Sequence, residues 1–188
     1  MPLLYIVRCR FTRPDLEASW NDWYSGEKTA QLLAKPMFRA VQRFRRSAGA
    51  GRDYLALWQV SSPEAFSTPE YKADWGFAQW HPYITDWSRD LFDAAGADAG
   101  VLAVPPDGAL GVIAFDGLTD GAAAAARAAF EDTEILWCPC VGLDRHTPAI
   151  GLRRFDEAAA ATARTAAAGV LVGVYRPLGA FAQAQPTA

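Results

Sequence analysis

Short apolar runs and helical patterns follow one another along the chain in an order that occurs twice. The first 93 residues predict strands at 3–11, 37–46, 54–60 and about 84–92, a helix at 14–35, and a second helical region at 61–81 that is broken near 68–70. The rest predicts strands at 109–115, 135–143, 149–155 and 170–176 and alanine-rich helices at about 120–131 and 156–168. Both parts therefore have the order β-α-β-β-α-β.

This order predicts an α+β fold made of two ferredoxin-like βαββαβ repeats. Each repeat has a sheet with helices on one face and nothing on the other, and two such sheets can bury their bare faces against each other. We divide the chain into a first half (1–95) that carries the site, a linker (96–108), a degenerate second half (109–180) and a tail (181–188).

The second predicted strand carries arginines on the face that should pack against the partner sheet. Strict alternation puts Phe38, Ala40 and Phe44 under the helices and Arg39, Arg43 and Arg45 on the face that meets the partner sheet, together with Met37 and Val41. Arginine on a buried face is costly unless it is paired, hydrated or in contact with a ligand. We therefore expect a hollow between the two sheets, beside these arginines and Glu27.

The first 93 residues also resemble the dimeric α/β-barrel superfamily, particularly its EthD-like members. The resemblance rests on Trp20, Trp23, Tyr24, Glu27, Lys28, Leu32, Leu33, Pro36, Phe38, Arg43 and Phe44, with 62–64, 69–71 and 84–89 similar to later parts of the same proteins. It implies that the two repeats form an intrachain barrel of the dimeric type. The superfamily includes cofactor-free monooxygenases, isomerases, polyketide cyclases, aldoxime dehydratases and haem-binding branches, and fold does not choose among them.

The chain departs from the family pattern at two positions of this motif. Lys28 stands where the family commonly has histidine after the glutamate, and Met37 stands where it commonly has glycine. The first change argues against carrying over a histidine-based mechanism. Whether Lys28 takes over the role of that histidine stays open.

Composition and charge exclude some partners. Net charge is −3, although residues 1–60 hold ten Arg and Lys against five Asp and Glu, so the first third can attract an anion while the whole argues against nucleic-acid binding. No apolar run approaches the roughly 20 residues that span a membrane. The three cysteines, Cys9, Cys138 and Cys140, cannot all pair, which favours a reducing compartment, the cytoplasm.

Three residues of the first half are candidates for proton transfer or orientation. Glu27 lies on a helix face with aromatic residues, where desolvation would make its carboxylate a usable base; an ion pair with Lys28 or an arginine is the alternative. His81 lies among aromatic residues at a helix end, and the alternative is a solvent-facing position. Tyr24 could orient a substrate oxygen, or it could be a core residue with a satisfied hydroxyl.

Six further residues are candidates for substrate binding. Arg43 and Arg45 could hold an enolate or phenolate through charge-assisted hydrogen bonds, and salt bridges between the sheets are the alternative. The remaining members of the set are Trp20, Trp23 and Trp58, which could stack on a flat ring or simply fill the core, and Lys28.

These residues predict a small-molecule enzyme without a cofactor or a metal, for which a homodimer is one option. It would be a lyase or isomerase, with monooxygenase and cyclase as further options, and it would act on an aromatic or polyketide-like substrate through an enolate or phenolate. Two alternatives are a non-catalytic binding protein for a hydrophobic metabolite and a haem-binding member of the same superfamily.

Overall fold

The structure is a computed structural model that describes residues 3–94, 97, 102–157, 161 and 169–185. The strands are β1 Leu3–Phe11, β2 Phe38–Gly49, β3 Tyr54–Val60, β4 Ile84–Asp93, β5 Ala109–Ala114, β6 Leu136–Leu143, β7 Ala149–Phe155, β8 Leu171–Pro177 and β9 Ala182–Gln183. The helices are α1 Glu17–Trp23, α2 Thr29–Leu33, α3 Pro69–Asp74 and α4 Asp120–Arg127, with 3-10 turns at Pro14–Leu16, Pro63–Phe66 and Ala78–Tyr83 and a π turn at Tyr24–Lys28. Within these residues every helix is too short or too polar to reach across a bilayer.

One antiparallel sheet closes on itself. The hydrogen-bonded order is β3-β1-β4-β6-β7-β5-β8-β2-β9, and β2 also pairs with β3, so β1 to β8 form a closed barrel. The strands of the first half follow the order β2-β3-β1-β4, and those of the second half follow the matching order β6-β7-β5-β8. The pairs β4–β6 and β8–β2 join the halves. The predicted α+β barrel class is confirmed.

The predicted strands agree closely with the observed ones, and the disagreements lie at the chain's later segments. Strands β3 and β7 begin and end at the predicted residues. The predicted helix at 156–168 falls mostly on residues 158–160 and 162–168, which lie outside the described part of the chain. The residues after 180 are not a tail throughout, because β9 pairs with Ala40 and Val41 of β2.

Apolar side chains from both halves fill the barrel interior. Leu4, Ile6, Phe44, Leu55, Leu57, Phe92, Leu110, Val112, Cys138, Cys140, Ile150, Leu152 and Tyr175 form one buried cluster there. The bare faces of the two half-sheets therefore meet as predicted, but the prediction of a hollow between them is wrong. Among the described residues, the space that a ligand would need is taken by these side chains.

A β-bulge explains why the second-strand arginines do not face that interior. The register of β2 against β3 shifts between Phe38 and Ala40, which breaks the alternation that was counted from Phe38. Phe44 consequently points into the interior cluster, whereas Arg43 and Arg45 face the helices. The prediction that Arg43 and Arg45 meet the partner sheet is wrong for this reason.

A cluster of buried charges lies at one end of the barrel. Arg8 of β1 is 2% exposed, and its Nη2 lies 3.3 Å from Asp90 Oδ2 and 2.9 Å from Asp116 Oδ1. Arg52 Nη1 lies 2.5 Å from Asp116 Oδ2, and the backbone N–H of His146 donates to Asp90 Oδ1 at 2.6 Å. The cluster thus connects strands and loops of both halves.

Removing the buried cation Arg8 should lower stability far more than removing an exposed cation. We expect Arg8→Met to lower the free energy of unfolding by about 3–5 kcal/mol, because Asp90 would stay buried without its ion pair. Arg10→Met is the matched control, since Arg10 is 43% exposed and its pairs with Asp53 and Asp86 should contribute about 1 kcal/mol or less. Urea unfolding measures both, and equal losses would contradict the buried role of Arg8.

Candidate active-site cavity

A cavity of about 370 Å³ lies between the outer face of the first-half sheet and its helices. That volume is in the lower part of the range of about 300–1,000 Å³ found for small-molecule sites. The cavity is lined by Tyr5, Val7, Trp58, Trp87 and Arg89 from the strands and by Tyr24, Lys28, Leu32, Tyr71, Trp75, Gly76, Phe77, Ala78 and His81 from the helical layer.

Strand register brings the residues of the cavity floor together. Tyr5 of β1 lies opposite Trp58 of β3, and Val7 lies opposite Arg89 of β4. Because side chains alternate along a strand, Trp87 and Arg89 point to the same outer face. The floor therefore combines a cation with three aromatic rings.

The π turn decides which residue of the first helix reaches the cavity. A helical turn with one extra residue shifts all later side chains around the helix axis. Trp20, Tyr24, Lys28 and Leu32 are consequently buried, whereas Glu27 is exposed. The spacing of a regular helix predicts Glu27 on this face, and that prediction is wrong.

Lys28 is a buried amine without a carboxylate partner among the described residues. It is 3% exposed, and its Nζ donates to the backbone oxygen of Asp74 at 2.6 Å and to Gln31 Oε1 at 3.4 Å. Burial lowers the pKa of Lys28 from 10.5 to about 8, and the positive charge of Lys35 adds to the effect while Asp74 opposes it. This amine can therefore take up and release a proton near neutral pH.

Two phenols and a guanidinium form a group of hydrogen-bond donors on the same cavity. The hydroxyls of Tyr5 and Tyr71 lie 3.2 Å apart. Burial opposes the charge on Arg89, but the Tyr71 and Tyr5 hydroxyls and the Asp144 carboxylate together raise the pKa of its guanidinium. Burial, followed by the neighbouring Tyr71, raises the pKa of Tyr5, so this phenol keeps its proton. Such a donor set is suited to an oxygen that carries developing negative charge.

Tyr24 is held from behind by Arg43. The Arg43 guanidinium lies 4.0 Å from the centre of the Tyr24 ring and donates to Asn21 and Ser25 at 2.7–3.1 Å. Burial raises the pKa of Tyr24, and the charge of Arg43 opposes that rise. The Trp58 indole N–H makes no hydrogen bond of good geometry within the described residues, yet it lies close enough to the Tyr24 hydroxyl to oppose the rise as well.

The cavity mouth is formed by the segment 75–78 and by His81. Trp75 is 46% exposed, and the Arg89 guanidinium lies 4.6 Å from its ring centre. Gly76 and Ala78 have φ angles of 95° and 48°, so the chain here makes a left-handed turn that a non-glycine residue such as Ala78 adopts only under strain. His81 is exposed, in the 3-10 turn that comes next.

The structure brings some of the predicted site residues together and separates others. Tyr24, Lys28, Trp58 and His81 line the cavity. Trp20 and Arg43 pack behind Tyr24, and Trp23 lies beside Tyr24 and Trp80 at the edge of the same layer. Glu27 and Arg45 are on the surface, where Arg45 pairs with Glu17 at 3.0 Å.

Several cavity residues were not among the predicted set. Arg89 was missed. Tyr5 and Tyr71 are possible donors to a substrate oxygen on the sequence alone, with a core position as the alternative, and Trp75 and Trp87 belong to the tryptophan-rich first half, but none of the four was in the predicted set. The sequence contains one signal for two of these residues. Trp87 and Arg89 are two residues apart on β4, so they lie on the same face of that strand. Sequence alone does not show that both face the helical layer.

Comparison with known proteins supports the fold. No protein-family model and no curated protein match the chain. An anthrone oxidase-like protein of known structure matches with a TM-score of 0.65 and 13% identity, over 98% of this chain and 94% of that one. A chlorite dismutase-like protein (TM-score 0.54, 12% identity, 95% of both chains) and a monooxygenase-like protein from Lactobacillus acidophilus NCFM (TM-score 0.51, 9% identity, 95% and 97%) match as well. The chain thus has the dimeric α/β-barrel fold.

Replacing Lys28 with methionine should remove a pH-dependent part of the stability. Between pH 8 and 10.5 the unfolded chain keeps the Lys28 proton while the folded chain has released it, so the wild-type free energy of unfolding rises with pH relative to the variant. The full difference is up to about 3 kcal/mol. Urea unfolding at several pH values measures it, with Lys72→Met as an exposed control. A wild-type minus K28M difference that stays constant across this window would contradict the assignment.

Proposed function

We propose that the chain is an enzyme that needs no cofactor, binds a flat aromatic ketone or phenol, and removes a proton from it to give an enolate or phenolate. The observation that carries the proposal is the shared cavity of a buried amine, Lys28, and a donor group made by Tyr5, Tyr71 and Arg89. General base catalysis works best when the pKa of the base lies near the working pH. Lys28 meets that condition, since burial lowers its pKa to about 8.

Each part of the cavity has a role in this reaction. Trp58, Phe77 and Trp87 would hold the ring, and the cavity volume suits roughly two or three fused rings. Arg89 and the Tyr71 hydroxyl would stabilise the substrate oxygen as it gains negative charge. Lys28 would accept the proton, and His81 at the mouth would pass it to solvent.

Oxygenation is the reaction that best continues from this deprotonation. A carbanion adds to O₂ and, after taking back a proton, becomes a hydroperoxide. The hydroperoxide loses water, so one CH₂ group becomes C=O, one O₂ is consumed and one H₂O leaves. The likeness to an anthrone oxidase-like protein supports this choice. Lyase, isomerase and cyclase reactions share the first step and differ in the fate of the carbanion.

The same proposal includes the repeat structure, the origin of the first half, the location and the partner of the protein. The matching strand orders of the halves support two ferredoxin-like repeats in tandem, and the motif at 20–44 supports an EthD-like origin for the first. The free cysteines Cys9, Cys138 and Cys140 support a cytoplasmic location. A small molecule, rather than a nucleic acid or a membrane, would be the partner.

The described residues do not fit a haem well. Haem iron needs an axial ligand that projects onto the ring from a protected wall, most often histidine. The imidazole on this cavity, His81, lies exposed at the mouth, while the hydroxyls of Tyr5 and Tyr71 bond to each other. No cluster of three or more His, Cys, Asp or Glu in the described residues could hold a metal ion either. No step of the proposed reaction passes through such a group.

The test uses anthrone as a probe, with deuterium exchange at its CH₂ group and O₂ consumption as two readouts. We expect Lys28→Met to lower both rates at pH 8 by about 100-fold or more, and Arg89→Gln to lower them by about 10- to 100-fold. Glu27→Gln is the matched control and should keep wild-type rates, because Glu27 is exposed. Wild-type rates should rise with pH and level off above about 8.

Three outcomes would replace this proposal. Equal exchange rates in wild type and Lys28→Met would remove Lys28 as the base. Binding of anthrone, seen as quenching of tryptophan fluorescence, without any exchange would favour a binding protein. A strong visible absorbance band after haemin addition would favour the haem-binding alternative.

A further inference from the structure

The chain buries two lysines, and their surroundings differ. Lys35 pairs with the Asp74 carboxylate and donates to the backbone oxygen of Glu70. Lys28 makes no ion pair among the described residues, and its two acceptors are neutral oxygens, one on the Asp74 main chain and one on the Gln31 side chain. Of the two lysines, only Lys28 lines the cavity.

This arrangement leaves the Lys28 amine able to act through its lone pair. A neutral amine has two N–H bonds, which match its two acceptors, and the lone pair then occupies the remaining direction. Within the described part of the chain the amine makes no ion pair, and burial together with the nearby Lys35 disfavours its protonated form more than the charge of Asp74 favours it. A desolvated lysine next to another cation is the setting in which amines become nucleophiles at neutral pH.

We propose that Lys28 Nζ forms an imine with the carbonyl carbon of an aromatic aldehyde or an unhindered aryl ketone. This inference rests on the proposed function, because it needs the same cavity to hold an aromatic carbonyl compound. It adds a covalent step that proton abstraction does not require.

The step balances without an oxidant or a reductant. The Nζ lone pair forms the N–C bond while the C=O π bond breaks, and the oxygen takes a proton to give a carbinolamine. The C–O bond then breaks, C=N forms, and the oxygen leaves as water with both protons of the amine. Arg89 and the Tyr71 hydroxyl are the donors placed on the cavity to assist the oxygen.

The imine takes up the Lys28 lone pair, so for these substrates it is an alternative to base catalysis by Lys28. The aromatic walls restrict access of water, which would otherwise hydrolyse the imine. The substrate class thereby narrows to aryl aldehydes and ketones whose carbonyl carbon is open to attack.

The experiment traps the imine in the wild-type protein. The protein is incubated at pH 8 with 1-naphthaldehyde and sodium cyanoborohydride, and peptide mapping by mass spectrometry locates the added naphthylmethyl group. The chain has three lysines, at 28, 35 and 72, so the map is simple. We expect labelling of Lys28 at least about 10-fold faster than of Lys35 or Lys72, because about half of the Lys28 amine is neutral at this pH and neither of the other lysines lines the cavity.

Variants and a competitor complete the test. Lys28→Arg should lose the fast label and Lys35→Arg should keep it, and 2-naphthol, which has no carbonyl group, should protect Lys28 in the wild type by occupying the cavity. Labelling of Lys28 at the rate of Lys72 would overturn the inference, with no need for any variant to fold. If anthrone exchange still depends on Lys28 in that case, the proposed function stands and the imine fails. If exchange is also absent, both fail.

Discussion

Closure of the sheet decides where this protein can hold a ligand. Every strand from β1 to β8 is paired along both edges, so the barrel has one inner and one outer surface. The inner surface is filled by large apolar side chains such as Phe44, Phe92 and Tyr175, with the ion cluster of Arg8 at one end. Space for a small molecule is left on the outer surface, where helices cross the first-half strands without filling every gap between them.

The cations of the first half differ in whether they line the cavity. Arg8, Arg45 and Arg52 have carboxylate partners, and Arg43 is held by Asn21, Ser25 and the Tyr24 ring. Part of the basic excess of residues 1–60 is therefore taken up by ion pairs and hydrogen bonds that stabilise the fold. Lys28 and Arg89 are the cations of the cavity. Lys28 makes no ion pair among the described residues and can lose its charge, whereas Arg89 pairs with Asp144 at 3.2 Å and keeps its charge.

Sequence patterns predicted the fold well, because strand order follows from runs of apolar residues and those runs are long enough to recognise. Two local irregularities made the prediction of the site partly wrong, because they change the face on which a side chain lies. The bulge at Phe38 and the π turn at Tyr24–Lys28 each add one residue to a regular period. After each of them, every later side chain moves to another face, which exchanged Glu27 for Lys28 and turned Arg43 towards the helices. The pattern of hydrophobic residues does not reveal a β-bulge or a π turn. Both are defined by backbone hydrogen bonds that form only in the folded structure.

The joining of both halves in one chain has a consequence for how the site evolves and operates. Two separate subunits that met through strand pairs such as β4–β6 and β8–β2 would come apart on dilution, and any change in one would appear in the other. Covalent linkage instead keeps the halves together at an effective concentration on the order of millimolar. The second half is thereby free to differ from the first, and its outer face can lose or replace residues while the cavity of the first half is kept.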